Sequence, residues 1–448
     1  MEMDFSKLAD TAFSIEKAAS EFPNMSAIVD CDRTISFSEL RDLVRQRRQV
    51  LTRPQPGRPY ILTGENTLDV FITIYSLLEE RIPFLLLHPT LTQYEKTALL
   101  NQINAISSPV PENIAAILLT SGTTGKPKPA MLSREALAAS AFSNARNIAL
   151  TPNDAWLMSI SVSRIGGLSI LTRSLAARSR IVLFPHFCAE NFIRALTEKH
   201  ITLASIVPTM LSKLIEEFPN WKPDPELRAI LLGGSNASPL LLDKASMQGI
   251  PLVMTYGMTE TASNIASSSY MERLKPKAAV RTNALVELKT ENETIRVRGP
   301  MVMSGYWGQK PLEPNDWLDT GDIGKINEFG EITVYARRTD LIVSGGENVY
   351  PAEVEKALVQ IPGIKDALVL GIPDETWGKI VTALLVADKE PLTDETLKTA
   401  LNQTLSSYKR PRRIAWVEKL PTNNSGKLNR NPDVVRHLSL RILHYKSA

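Results

Sequence analysis

A chain of 448 residues is too long for one hydrophobic core and calls for at least two domains. Its 43% hydrophobic and 22% charged residues fit a globular protein, and a net charge of only +3 gives no argument for nucleic acid as a main partner, so none is expected. Apolar runs such as Phe84–Leu87 and Ala115–Leu119 fall far short of the ~20 residues of a membrane helix, so no membrane span is expected.

At the N-terminus, Met1–Asp10 has acidic residues where a secretory leader has basic ones. Cys31 and Cys188 form neither a CxxC pair nor a metal spacing. Both point to a reduced, cytoplasmic setting. From Tyr60 to Tyr256, short apolar runs alternate with amphipathic stretches. The predicted strands are Tyr60–Thr63, Phe84–Leu87, Ala115–Leu119, Trp156–Ile160, Arg180–Leu183, Leu203–Val207, Ala229–Leu232 and Leu252–Thr255. Helical patterns such as Arg134–Ala149, Ala189–Lys199 and Pro239–Gln248 lie between them. Nearly unbroken apolar strands alternating with helices predict buried, mostly parallel sheets. Ligands in such sheets sit beyond the carboxyl ends of the strands. Val286–Tyr335 reads as a small β region with a turn at Asn327-Glu-Phe-Gly330, and a new αβ unit starts near Arg338–Asp340. The expected fold is α/β: an N-terminal domain of αβ layers with a small β subdomain (residues 1–338) and a small, mobile α+β C-terminal domain (339–448).

The segment Leu118-Leu-Thr-Ser-Gly-Thr-Thr-Gly-Lys-Pro-Lys128 runs from an apolar strand into a loop dense in glycine and hydroxyls, followed by two lysines. Backbone N–H groups and hydroxyls of Thr120, Ser121, Thr123 and Thr124 can surround phosphate oxygens, and Gly122 and Gly125 allow close approach. Lys126 and Lys128 can offset charge on a leaving pyrophosphate. A Walker loop is excluded, because it needs four residues between its glycines where this segment has two. Alone, such a loop is more often a plain surface turn.

The segment has company. It resembles the phosphate loop of the adenylate-forming superfamily of acyl-CoA synthetases, nonribosomal adenylation domains and luciferases, and four further motifs follow in that superfamily's order. They are Thr255-Tyr-Gly-Met-Thr-Glu260, Trp317-Leu-Asp-Thr-Gly-Asp322, the hinge region from Arg337 through Ser344-Gly-Gly346 to Glu353, and Pro421-Thr-Asn-Asn-Ser-Gly-Lys427. The resemblance implies ATP, Mg²⁺ and coenzyme A as cofactors or co-substrates and a carboxylic acid as substrate. It implies that Asp322, an acceptor-only group suited to a diol, accepts from both ribose hydroxyls and that Arg338 contacts the same nucleotide. Tyr256 then stacks on adenine, Gly233, Gly234 and Ser235 line its other face, and Gly257 and Thr259 complete the nucleotide site. Glu260 contacts Mg²⁺, with Thr120 or Thr124 nearby. Lys427 reaches in to stabilise charge on the α-phosphate. The C-terminal domain next turns about Asp340 and brings Ser344, Gly345 and Gly346 to the site for the pantetheine arm. The basic run Lys409–Arg413 reads equally as a contact for CoA phosphates and as a solvated turn.

The chain departs from the pattern at Arg164, where the superfamily has histidine, and at Pro129, where it has glycine. The usual glycine-rich stretch after the metal motif is also missing around Ala279–Leu285. Arg164 is expected either to contact an anionic substrate or phosphate, or to form a salt bridge at the mouth. The compact length and the segments Gly166–Arg173, Ala204–Thr209, Leu231–Gly234 and Ser344–Asn348 look like those of bacterial 2-succinylbenzoate–CoA ligases of menaquinone synthesis. That similarity implies that Arg173, Ser205 and Thr259 hold a second carboxylate. Competing expectations are another aryl- or acyl-CoA synthetase, a stand-alone enzyme loading a carrier protein, and a non-catalytic nucleotide binder. A homodimer is an open option.

Overall fold

The structure is a computed structural model and describes residues 4–120, 127–184, 186–344, 347–375, 377–423 and 427–445. Among these, the strands form four sheets. The largest runs in the spatial order Val280–Thr282, Ser263–Ser268, Leu252–Met258, Ala229–Leu232, Leu203–Ile206, Ala155–Met158, Arg180–Leu183, Ser26–Asp30 and Arg33–Ser36. The six strands from Leu252–Met258 to Ser26–Asp30 are parallel, and antiparallel strands close both edges. The central strands Ala155–Met158, Leu203–Ile206 and Ala229–Leu232 are buried throughout and, Ser205 apart, apolar, as helix-covered parallel strands require.

A second sheet pairs Tyr60–Thr63, Phe84–Leu87 and Ile114–Thr120 in parallel and ends on Lys128–Ser133 in antiparallel. The side chains of Phe13, Phe37, Phe71 and Phe84 are fully buried around it, each burial favouring the fold by about 1.5–3 kcal/mol. The third sheet is the expected β region: Glu287–Glu291, Thr294–Arg298, Leu318–Ile326 and Ile332–Arg337, all antiparallel. Its last turn follows from sequence, with Asn327 Oδ1 accepting from the Phe329 and Glu331 N–H groups and Gly330 at φ +72°.

Past residues 338–341 the chain enters a separate sheet built on the long hairpin Ile364–Asp374 and Gly378–Ala387, with helices Pro351–Val359 and Asp394–Thr404 over its core. The molecule is therefore α/β, with a large N-terminal and a smaller C-terminal domain. Strands Tyr60–Thr63, Phe84–Leu87, Arg180–Leu183 and Ala229–Leu232 have the bounds expected from sequence, whereas Trp156–Ile160 ends early, at Met158. Among the described residues no helix is long and apolar enough to cross a membrane.

Candidate functional site

Four neighbouring parallel strands deliver their carboxyl ends to one edge of the large sheet: Met158, Ile206, Leu232 and the continuation of Leu252 into Tyr256. The turn after Leu232 must be glycine twice. A Cβ on Gly233 would stand 2.3 Å from Thr255 Oγ1, and Gly234 has φ +86°. A Cβ on Gly234 would also lie 3.6 Å from Lys427 Cε, so the C-terminal lysine passes directly over this turn. Ser235 follows, half-buried. Gly257 serves packing: its Cβ would lie 2.1 Å from Ser263 O on the adjacent strand, at a register shift between the two strands.

Asp322 comes from the third sheet and is buried at 5% exposure. Tyr256 Oη donates to its Oδ2 at 2.8 Å, and Arg337 Nε lies 3.1 Å from its Oδ1. Burial raises the Asp322 carboxyl above its usual value, against the pull of Arg337 and the Tyr256 hydrogen bond. Burial and the neighbouring Asp322 push the Tyr256 phenol upward, so it stays a donor. The guanidinium at Asp322 belongs to Arg337; Arg338 instead pairs with Asp319 at 2.5 Å on the exposed side of the strand.

Glu260 sits in the single helical turn Thr259–Thr261, where Thr259 is half-buried. Tyr306 Oη donates to Glu260 Oε1 at 2.8 Å, and Lys128 Nζ stands 5.2 Å from the Tyr306 ring centroid. Burial and Glu260 raise the Tyr306 phenol, while a hydrogen bond with Thr120 lowers it, which brings Thr120 into the same cluster. Thr120 and Lys128 are cross-strand partners, so the loop between them joins two antiparallel strands. Ser121, Gly122, Thr123, Thr124, Gly125 and Lys126 lie outside the described residues, as do Gly345 and Gly346.

Lys427 is solvent-exposed by surface area. Its surroundings still disfavour the ammonium: desolvation first, then the charges of Arg337 and Arg164, hold its pKa below the usual lysine value against Asp322 and Glu260. The loop is fixed at its base, with Lys427 N donating to Asn423 Oδ1 at 3.1 Å and Thr422 bridged to Leu428.

Arg173 is on helix Ile165–Ala177 and is 2% exposed. Its Nη2 donates to Asn264 Oδ1, its Nε has no partner, and no carboxylate pairs with it among the described residues. Burial pushes its pKa down to about 9, which leaves it cationic at neutral pH. Asn264 lies on the strand that leaves the Thr259–Glu260 turn, so Arg173 adjoins that turn. Ser205 is on strand Leu203–Ile206, its Oγ accepting from Trp156 Nε1 at 3.2 Å. No direct bond joins Ser205 to Arg173 among the described residues. Arg164 precedes the same helix as Arg173, half-buried and with its Nε unpartnered; the salt bridge that was one of its two expected roles does not form among the described residues. Desolvation lowers it too.

Asp340 lies between the last strand of the third sheet and strand Ile342–Ser344 of the C-terminal sheet. Ser344 is buried in the hairpin with Glu347. The basic run is engaged within its own domain: Lys409 pairs with Glu353 at 2.6 Å, Arg413 with Asp374 at 3.1 Å, and Arg412 stacks 4.0 Å over Trp377. Tyr306, Asn264 and Arg337 were not singled out from sequence. Arg337 had a signal: Ile326 pairs with Ile332 across the Asn327–Gly330 turn, and counting outward with one bulge brings Arg337 opposite Asp322.

Residues 93–307 match the family model for AMP-binding enzyme, and residues 353–427 match that for its C-terminal domain. A 2-succinylbenzoate–CoA ligase from Bacillus licheniformis is 39% identical over 350 residues, covering 73% of this chain and 73% of that protein. The o-succinylbenzoate CoA synthetase from Bacillus subtilis, solved in complex with the acyl-adenylate intermediate OSB-AMP, superposes with a TM-score of 0.80 at 28% identity, over 96% of this chain and 99% of that one. The same enzyme solved with ATP and magnesium ion gives 0.80 at 28% identity, over 93% and 98%.

Proposed function

This chain belongs to the AMP-binding enzyme family, and from that premise we propose that it is an ATP-dependent acid–CoA ligase. Its acid is 2-succinylbenzoate, in menaquinone synthesis, activated as an acyl-adenylate with release of pyrophosphate and then AMP. The observation that carries the reading is the entry of Lys427 into the cleft that also holds Asp322 and Glu260.

In the first half-reaction a substrate carboxylate oxygen attacks the α-phosphorus as the bond to pyrophosphate breaks. Lys427 balances the negative charge that grows on the α-phosphate oxygens, and Lys126 and Lys128 offset that on the leaving group. Asp322 takes the ribose hydroxyls in a pocket where Arg337 and Tyr256 hold its carboxylate in place; Arg338 is assigned to the same nucleotide. Tyr256, Gly257, Thr259 and the Gly233–Ser235 turn surround the base, and the 120–126 loop takes the phosphates. Among the described residues no group of three or more His, Cys, Asp or Glu could cage a metal. One carboxylate, Glu260, fits Mg²⁺, which draws most of its ligands from phosphate and water. The ion supplies further positive charge along the phosphates.

In the second half-reaction the C-terminal domain, residues 339–448, turns about Asp340. Ser344, Gly345 and Gly346 then line the path of the pantetheine arm, the CoA sulfur attacks the acyl carbonyl, and AMP leaves. The choice of acid rests on Arg173. A buried guanidinium without a counter-ion is costly, and a second carboxylate, shared with Thr259 and Ser205, removes that cost. Arg164, also without an acidic partner among the described residues, takes an oxygen of substrate or phosphate. The exposed free thiols of Cys31 and Cys188 suit the cytoplasm, and sedimentation distinguishes a homodimer from a monomer.

The test is ATP–pyrophosphate exchange across aromatic mono- and dicarboxylic acids, followed by thioester formation with CoA or with a carrier protein. Exchange strongest with 2-succinylbenzoate, and transfer to free CoA, is the expected result. No AMP with any acid sinks the reading, and transfer only to carrier protein replaces the acceptor.

A further inference from the structure

Three residues beyond Lys427, Arg430 spends one guanidinium on three parts of the chain. Its Nη2 donates to Glu355 Oε2 at 3.1 Å and its Nη1 to the other oxygen of the same carboxylate, on helix Pro351–Val359. Its Nη1 also donates to Val369 O at 2.8 Å, and Val369 N donates back to Glu355 Oε1 at 2.7 Å. These bonds set Arg430 firmly on the C-terminal domain. The remaining edge, Nε, faces Asp340 Oδ2 at 3.7 Å, on the connector between the third sheet and the C-terminal sheet. Leu428 and Asn429, which separate Lys427 from this anchor, are themselves fixed by the bridge to Thr422 and the bond from Asn429 N to Pro421 O at 2.9 Å. A cavity of about 90 Å³ lies beside this contact, lined in part by Thr339, Asp340, Leu370, Lys379 and Arg430.

We propose that Arg430 is a positioning residue of adenylation: it ties the loop carrying Lys427 to the carboxylate of Asp340, so that connector and lysine take up the adenylating arrangement together. The inference rests on the reading that Lys427 acts in the first half-reaction and that Asp340 is the pivot. The geometry divides the task. Glu355 and Val369 fix the guanidinium whatever the domain angle, because all three belong to the same domain. The longer contact to Asp340 is the one that a backbone rotation at the connector breaks. A bidentate fork with a free Nε is suited to this arrangement, and the single ammonium of lysine is not.

The test uses the full-length enzyme with Arg430→Lys, Asp340→Asn, the double variant and Lys427→Ala. Expected for Arg430→Lys and for Asp340→Asn is a loss of roughly tenfold in kcat of pyrophosphate exchange, with KM for ATP and acid within about twofold; for Arg430→Lys, thioester formation from supplied acyl-adenylate is unchanged. The double variant is expected to lose no more than either single one, because both remove one contact. Losses that multiply in the double variant overturn the proposal, and so does an equal fall of both half-reactions in Arg430→Lys with Asp340→Asn unaffected. Lys427→Ala separates the two levels. Exchange that survives it removes the underlying reading, whereas exchange lost there, without coupling between Arg430 and Asp340, removes this inference alone.

Discussion

Replacing Arg173 with methionine separates substrate recognition from folding. Arg173 is 2% exposed, and among the described residues its guanidinium donates to Asn264 and leaves Nε without a partner. A buried cation without a counter-ion is unfavourable, so its removal relieves one penalty. It leaves the Asn264 oxygen short of a donor, at about 1–3 kcal/mol. The two effects oppose each other, and the melting temperature without substrate is expected to stay within about 4 °C of wild type or to rise. Binding behaves differently. A hydrogen bond to a charged group contributes about 1.5–3 kcal/mol, and each ~1.4 kcal/mol is a factor of ten. KM for 2-succinylbenzoate should therefore rise by on the order of 10- to 150-fold, with kcat at saturation kept, since the contact is made equally in ground and transition states. Benzoate, with one carboxylate, should show little change in KM. The assay is pyrophosphate release for both acids beside a thermal melt with and without the dicarboxylate. An equal KM change for the two acids, or a large fall in melting temperature, would show that Arg173 holds the helix and not the substrate.

Lys427→Ala should abolish ATP–pyrophosphate exchange while sparing thioester formation from supplied acyl-adenylate; equal loss of both half-reactions refutes the role. Because desolvation and two arginines hold its ammonium below the usual lysine value, the wild-type exchange rate should fall with rising pH before an ordinary lysine titrates, and Arg164→Gln should move that limb upward. Asp366, raised to about 6 by burial and by Glu355 and Glu216, binds its proton more tightly folded than unfolded. Its contribution to stability is thus lost as pH rises through about 6, so Asp366→Asn should raise the melting temperature at neutral pH and lose that advantage near pH ~4. Gly257→Ala would place a Cβ 2.1 Å from Ser263 O, and a cost of about 1–3 kcal/mol should appear as a lower melting temperature even without nucleotide; an unchanged melt would show that the two strands can part.

The parallel strands were legible because burial on both faces demands uninterrupted apolar runs, although some predicted runs, such as Trp156–Ile160, extend past the strand. Ala229–Leu232 is an uninterrupted run. The edge strands were not. Ser263–Ser268 carries Ser and Asn through buried positions, where hydrogen bonds to Asn144, Asn147 and Asn283 replace apolar contact, and no hydrophobic period marks it. Site residues followed the same division. Asp322, Glu260 and Lys427 stand in compact motifs read along the chain. Tyr306 and Arg337 owe their places to contacts across 46 and 15 residues of sequence, and only the second could be counted from a turn. The polarity of Arg173 was visible, but that no carboxylate among the described residues pairs with it is a fact of three dimensions.

The charge balance of the cleft bears on when Lys427 belongs there. Asp322 is engaged by Arg337 and Tyr256, and Glu260 by Tyr306. Around Lys427, desolvation and the positive charges outweigh the two acids, and its ammonium is disfavoured relative to water. An anion reverses that sign. With a triphosphate bound, each oxygen near Lys427 adds attraction in a site of reduced dielectric, where charges interact more strongly than in water. Once pyrophosphate departs, only one phosphoryl group remains and much of the attraction is gone, while the repulsion from Arg337 and Arg164 persists. On the proposed mechanism, the lysine is therefore drawn in by the substrate and released by the first product. On that same proposal, the loss of phosphate charge favours withdrawal of Lys427 before CoA enters.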